Sequence, residues 1–145
     1  MHLVKSDSQG RRRFLRAIPA SMLGVAAALP LLGQAPGAVP AYLSPEEARK
    51  KLPATLPPEG FSDPQVKRAY RIAKAIPAVI AQQPCYCWCS RSGHRSLLSC
   101  YVDDHASACD MCMKEAFLAD QMTRSGKSAT EIRAAIVRGA WKSAQ

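Results

Sequence analysis

The sequence predicts a small, mainly α-helical domain with a cysteine-rich loop and a C-terminal helical hairpin. Three observations carry this. Helix-start signals stand at Ser44, Asp63 and Ser128, and after the last two apolar residues recur at three- and four-residue steps. No stretch alternates convincingly as a strand. Six cysteines fall within the 28 residues from Cys85 to Cys112. A domain this small buries little apolar surface and commonly recruits disulfides or a metal.

The chain of 145 residues has room for one domain and a leader. Gly10-Arg11-Arg12-Arg13-Phe14-Leu15-Arg16 resembles the twin-arginine export consensus, with Gly10 in place of the leading Ser or Thr. The apolar stretch from Ala17 to Gly33 is short for a membrane span and is broken by Pro19 and Pro30. Val39-Pro40-Ala41 offers small residues around a cleavage site after Ala41. Residues 1–41 are therefore expected to be a twin-arginine signal peptide. The mature protein is expected to be soluble and periplasmic or otherwise extracytoplasmic, touching the membrane only during export. No cysteine near the cleavage site is available for lipidation.

Residues 42–64 read as a linker with one short helix: Ser44 as N-cap, Pro45 at the first helical position, Glu47 closing a capping box. Pro57-Pro58-Glu59-Gly60 breaks the chain again. Residues 65–145 form the cysteine-rich domain. Asp63 caps its first helix, whose apolar face is Val66, Ala69, Tyr70, Ala73 and Ile76, and Pro77 ends or kinks it. A short apolar run, Ala78 to Gln83, leads into the cysteines. A helix is expected from Cys109 to Arg124, with Ser107 as N-cap and Asp110 closing the box. Cys112, Met113, Ala116, Phe117 and Met122 lie mostly on one side of it. Gly126 supplies the C-terminal cap, Ser128 and Glu131 form a second capping box, and Ile132, Ile136 and Trp141 face inward.

Lysine and arginine number 20 against 11 acids. Five of the bases and one acid lie in the leader, up to Ala41, so the mature part keeps 15 bases and 10 acids and is only mildly basic. No run of bases interleaved with aromatics suggests a nucleic-acid face. No nucleophile, base and orienting group form a visible catalytic set, so an enzyme is not expected.

The chemistry resides in Cys85, Cys87, Cys89, Cys100, Cys109 and Cys112, with His94 and His105 as further candidate ligands. Cys109 and Cys112 are three apart, so a helix sets them on one face; at its N-terminus the dipole favours thiolate. Asp103 and Asp104 suit helix caps better than soft ions. The Cys-x-Cys-x-Cys run poses a geometric problem. In a strand its alternate residues would lie about 6.6 Å apart, whereas two sulfurs on one tetrahedral ion lie about 3.8 Å apart. Either the chain curls around an ion, or the run spans several soft ions that share thiolates. Copper(I) or zinc suits such a ligand set. Twin-arginine cargo folds before export, in a reducing compartment, which favours metal thiolates over disulfides. Two other readings stay open: a scaffold of three disulfides, and redox-active thiols.

Pro84-Cys85-Tyr86-Cys87-x-Cys89, Gly93-His94-x-Ser96-Leu97-Leu98-x-Cys100, His105, Cys109-x-x-Cys112, Glu115-Ala116 and Gly126-Lys127-Ser128 together resemble the bacterial PCYCGC-motif family over about residues 65 to 141. The resemblance implies that these cysteines and histidines belong to one site; it brings no activity with it. Trp88 stands where that family has glycine, which puts any backbone conformation reserved for glycine in question there. Many members of the family look like lipoproteins, whereas this chain carries the twin-arginine leader. A weaker likeness is to the thiol-bearing subunit of cytochrome c maturation, which sets Cys-x-x-Cys before a helical hairpin.

The expectation is thus an exported soft-metal-binding protein, copper(I) first and zinc second, serving storage, delivery or structural stabilisation. Its partners would be the ion and a metal- or redox-accepting protein. The alternative is an exported thiol–disulfide or haem-handling protein that cycles Cys109 and Cys112.

Overall fold

Capping chemistry sets the first helices where the sequence places them. The computed structural model describes residues 37–145, so all but the end of the expected signal peptide lies outside the described residues. Ser44 accepts a hydrogen bond from the Glu47 amide and Glu47 accepts one from the Ser44 amide, opening the short helix α1, Pro45–Ala48. Asp63 accepts from the amides of Gln65 and Val66 and opens α2, Pro64–Ala75. The segment 42–64, read as a linker, is held against the rest of the domain. The Leu43 amide donates to the Ala81 carbonyl, the Leu56 amide donates to the Tyr101 carbonyl, and Ala48 is buried.

Val66, Ala69, Tyr70 and Ala73 of α2 are buried, as their spacing predicts. Ile76 leaves the helical conformation and Pro77 begins a new helix, α3, Pro77–Ala81, so the apolar run before the cysteines is itself helical. Proline at the first position costs α3 nothing, because that amide would have no partner anyway.

The C-terminal hairpin is α4, Asp110–Arg124, and α5, Ala129–Val137. Gly126, at φ 76°, closes α4 with paired bonds: its amide donates to the Thr123 carbonyl and the Lys127 amide to the Met122 carbonyl. The Ser128–Glu131 capping box then opens α5. Helix α4 is the central element, packing against α2, α3, α5 and the final 3-10 turn, Ala140–Ser143. Tyr70, Tyr101, Ile80, Leu97, Ile132 and Ile136 fill the core between them.

Two expected boundaries move. The start of α4 is not a Ser107 capping box. His105–Ala108 forms a separate 3-10 turn, Cys109 is the N-cap residue without a side-chain cap, and Asp110 pairs instead with Lys114 at 2.9 Å. Trp141 does not continue the inward face of α5 either. The chain turns at Gly139, φ 80°, and the indole is only partly buried, with the Lys142 ammonium over it. Among the described residues there is no strand, and no helix is long and apolar enough to cross a membrane.

Candidate metal centre

The cysteine loop is pinned at both ends by the helical body. The Gln83 side chain, fully buried, donates to the carbonyls of Val79 and Ala129, and the Gln83 carbonyl accepts from the Leu97 amide. Between these anchors the backbone curls. The Trp88 amide donates to the Cys85 carbonyl at 3.2 Å, and a 3-10 turn, Cys89–Ser92, follows. Trp88 has φ 60°, the left-handed conformation that favours glycine. The position does call for a glycine-like backbone, and tryptophan adopts it with the strain that entails.

Curling draws the sulfurs together. Cys85 and Cys87 Sγ lie 2.9 Å apart, far closer than an extended run would place them. Cys112, from the first turn of α4, lies 3.3 Å from Cys85 and 3.5 Å from Cys87. The 3-10 turn Leu97–Tyr101 drives Leu97, Leu98 and Tyr101 into the core and carries Cys100 in with them. The Tyr101 hydroxyl donates to the Cys112 carbonyl at 2.8 Å, tying that turn to α4. All six cysteines are free.

His105 Nε2 lies 2.9 Å from Cys89 Sγ and 3.9 Å from Cys87 Sγ. His94 Nδ1 lies 3.3 Å from Cys100 Sγ. The two imidazole rings meet edge-on, 5.3 Å between centroids. Asp103 Oδ1 accepts from the His105 backbone amide, ahead of a turn whose N-cap residue is Asp104, and Asp103 Oδ2 lies 3.9 Å from His94 Nε2.

Two sets of donors converge closely enough to hold an ion. Cys85, Cys87, Cys89 and Cys100 have all their donor atoms within 4.8 Å of one another, and so do Cys87, Cys100, His105 and Cys112. Cys109 and His94 belong to neither set. Cys109 is half-buried and lines an open cleft with Cys87, Cys89, Asp104 and His105. Five of the cysteines, all but Cys109, and His105 can therefore hold a metal ion. Thiolate and imidazole donors fit a soft or borderline ion, and no carboxylate belongs to either set.

Proton affinities differ sharply around the cluster, and one expectation fails. The α4 dipole does not lower Cys109 and Cys112. Burial pushes the Cys109 thiol up, and Cys112 is raised because its thiol donates to Cys100 and Cys85 and is itself buried. The lowered group is Cys100, brought down to about 6 by hydrogen bonds from Cys112 and Cys85. Burial at Cys109, and hydrogen bonds among crowded sulfurs at Cys112, outweigh the partial charge of a helix end.

Glu115 is the residue that spacing analysis of the ligands misses. It is fully buried, and its Oε1 accepts from the Tyr86 amide at 2.9 Å. Burial, reinforced by the charge of Cys85, raises its pKa to about 10. It is thus a neutral acid beside the cluster at ordinary pH. The signal was present in the sequence: position 115 falls on the same helical face as Cys112, where an acid is out of place.

No curated protein and no solved structure matches this chain. A family model does, over residues 46–142, two thirds of the sequence. It is that of proteins of unknown function with a PCYCGC motif, whose first three cysteines are here the curled run at the cluster. The chain belongs to the PCYCGC-motif family.

Proposed function

We propose that this protein binds soft metal ions, copper(I) first and zinc second, through the converging thiolates, for storage, delivery or stabilisation of its own fold outside the cytoplasm. One observation carries the reading: four cysteines from two separate turns, Cys85, Cys87, Cys89 and Cys100, bring their sulfurs within 4.8 Å of one another with no disulfide among them. Cys85, Cys89, Cys100 and Cys112 are buried, and isolated thiolates are costly there unless a cation compensates them. The open cleft at Cys87, Cys89 and His105 gives an ion or an accepting protein access, with Cys109 at the same opening. The twin-arginine leader supports export of the folded, loaded protein. No catalytic role is proposed.

Elemental analysis with thiol counting, on protein purified from its native compartment without reductant, tests this. Bound copper or zinc with protected thiols is expected. Less than about 0.2 metal per chain together with three disulfides overturns it, because disulfide sulfur does not ligate.

A second reading rests on Cys109, the half-buried thiol in the cleft, one helical turn from Cys112. An exported thiol–disulfide protein would cycle that pair. It predicts metal-free protein with one readily alkylated thiol, and Cys109→Ser would then abolish the redox activity.

A further inference from the structure

The two converging donor sets overlap. Cys87 and Cys100 belong to both; Cys85 and Cys89 complete one, and Cys112 and His105 complete the other. A single tetrahedral ion uses four donors. Placed in either set, it would leave two of the six donors idle beside it. Two ions use all six. Each takes two terminal donors, and both share the two common sulfurs, so two tetrahedra are satisfied with no donor left over. Thiolate sulfur, with several lone pairs and high polarisability, bridges readily between soft ions, whereas imidazole does not. The shared positions are both cysteines, and the one histidine is terminal.

Charge points the same way. Five ligating thiolates carry five negative charges. Among the described residues the buried polar groups of the core are Gln83, Ser96 and Glu115, and none is a cation. With all five ionised, one ion leaves more uncompensated charge in a region of low polarity than two ions of the same kind do. His94 then finds a role outside the ligand set, because its Nδ1 reaches the shared sulfur of Cys100 at 3.3 Å.

Resting on the metal-binding reading above, we infer that the centre is binuclear: two soft ions doubly bridged by the thiolates of Cys87 and Cys100, with Cys89 and His105, 2.9 Å apart, terminal on one ion and Cys85 and Cys112, 3.3 Å apart, terminal on the other. Cys109 is not a ligand of either ion.

The test uses the full chain, reduced and metal-free under anaerobic conditions, titrated with copper(I) and separately with zinc(II) against a chromogenic chelator. Saturation at two ions per chain is expected. X-ray absorption at the metal edge should then show a metal–metal vector of about 3 Å, the separation that two bridging sulfurs impose at metal–sulfur bonds of about 2.3 Å. Cys100→Ser should lower the count from two to one and remove that vector, and Cys109→Ser should change neither. Saturation at one ion, at three or more, or at two without the vector overturns the binuclear centre while leaving metal binding intact. No binding of either metal overturns metal binding itself. If Cys100→Ser fails to fold, the stoichiometry and the vector of the unaltered protein decide alone.

Discussion

Cys89 Sγ and His105 Nε2 lie 2.9 Å apart, although sixteen residues separate them in the chain. The contact joins the end of the curled run to the 3-10 turn that precedes α4. His94, nearer in sequence to the cysteines, lies outside both converging sets. His105→Gln is therefore expected to weaken metal affinity by more than about tenfold, and His94→Gln by less than that. Competition titration against a chelator of known affinity measures both. The reverse order would remove His105 from the ligand set.

Glu115 makes the metal-free protein sensitive to alkali. Its carboxyl has a folded-state pKa of about 10 against an ordinary 4.5. The folded protein thus holds a proton that the unfolded chain releases. This contribution to stability is complete below pH 4.5 and is lost progressively as pH rises through about 10. Glu115→Gln keeps the acceptor for the Tyr86 amide and removes the titration. Urea unfolding of the metal-free protein, followed from about pH 6 to about pH 9, should show a steeper loss for the unaltered chain, by about 1 kcal/mol per pH unit. Equal slopes would mean that Glu115 is already ionised.

Trp88 carries a left-handed backbone on a half-exposed side chain, 38% accessible. Its ring meets Tyr86 edge-on, at 6.4 Å between centroids. Trp88→Gly should leave thermal stability unchanged or raise it by up to about 1 kcal/mol, as relief of strain offsets the added freedom of the unfolded chain. Trp88→Val should lower it by about 1 kcal/mol, since a branched side chain tolerates this conformation worse. A loss on Trp88→Gly larger than on Trp88→Val would show that the indole packs against something more than Tyr86.

Tyr101 links the Cys100 turn to α4 through its hydroxyl, fully buried, on the Cys112 carbonyl. Tyr101→Phe should cost about 1 kcal/mol in denaturant unfolding. It should also loosen Cys100 relative to Cys112, raising the rate of thiol alkylation in metal-free protein. Unchanged alkylation would confine the hydroxyl to a role in stability.

The helices were legible because their signals are local. Ser44, Asp63 and Ser128 announce their caps within four residues, and the apolar stripe of α2 repeats at the helical period. The gathering of most of the cysteines was legible from their density. The start of α4 was not, because Ser107 and Asp110 imitate a capping box while the burial of Ala106 favours a separate turn. The contrast between His94 and His105 was equally out of reach: it depends on how the loop folds back onto the start of α4, a tertiary outcome that spacing does not encode. Glu115 shares the helical face of Cys112, yet a carboxylate is ordinarily assigned to solvent, so its burial is easily passed over.

The anchoring of Cys85 to Cys89 and of Cys112 on opposite sides of a 28-residue stretch has a mechanical consequence. An ion held from both ends ties that stretch into a ring, as a disulfide would. Closing a ring of that length restrains the unfolded chain by about 3.5 kcal/mol, in the loop-entropy account. Unlike a disulfide, this staple opens without any change of oxidation state, simply by losing its ion to a stronger chelator. On the proposed metal-binding function, the melting temperature of the domain would gauge its occupancy: the loaded protein would resist unfolding, and loss of the ion would itself lower that resistance.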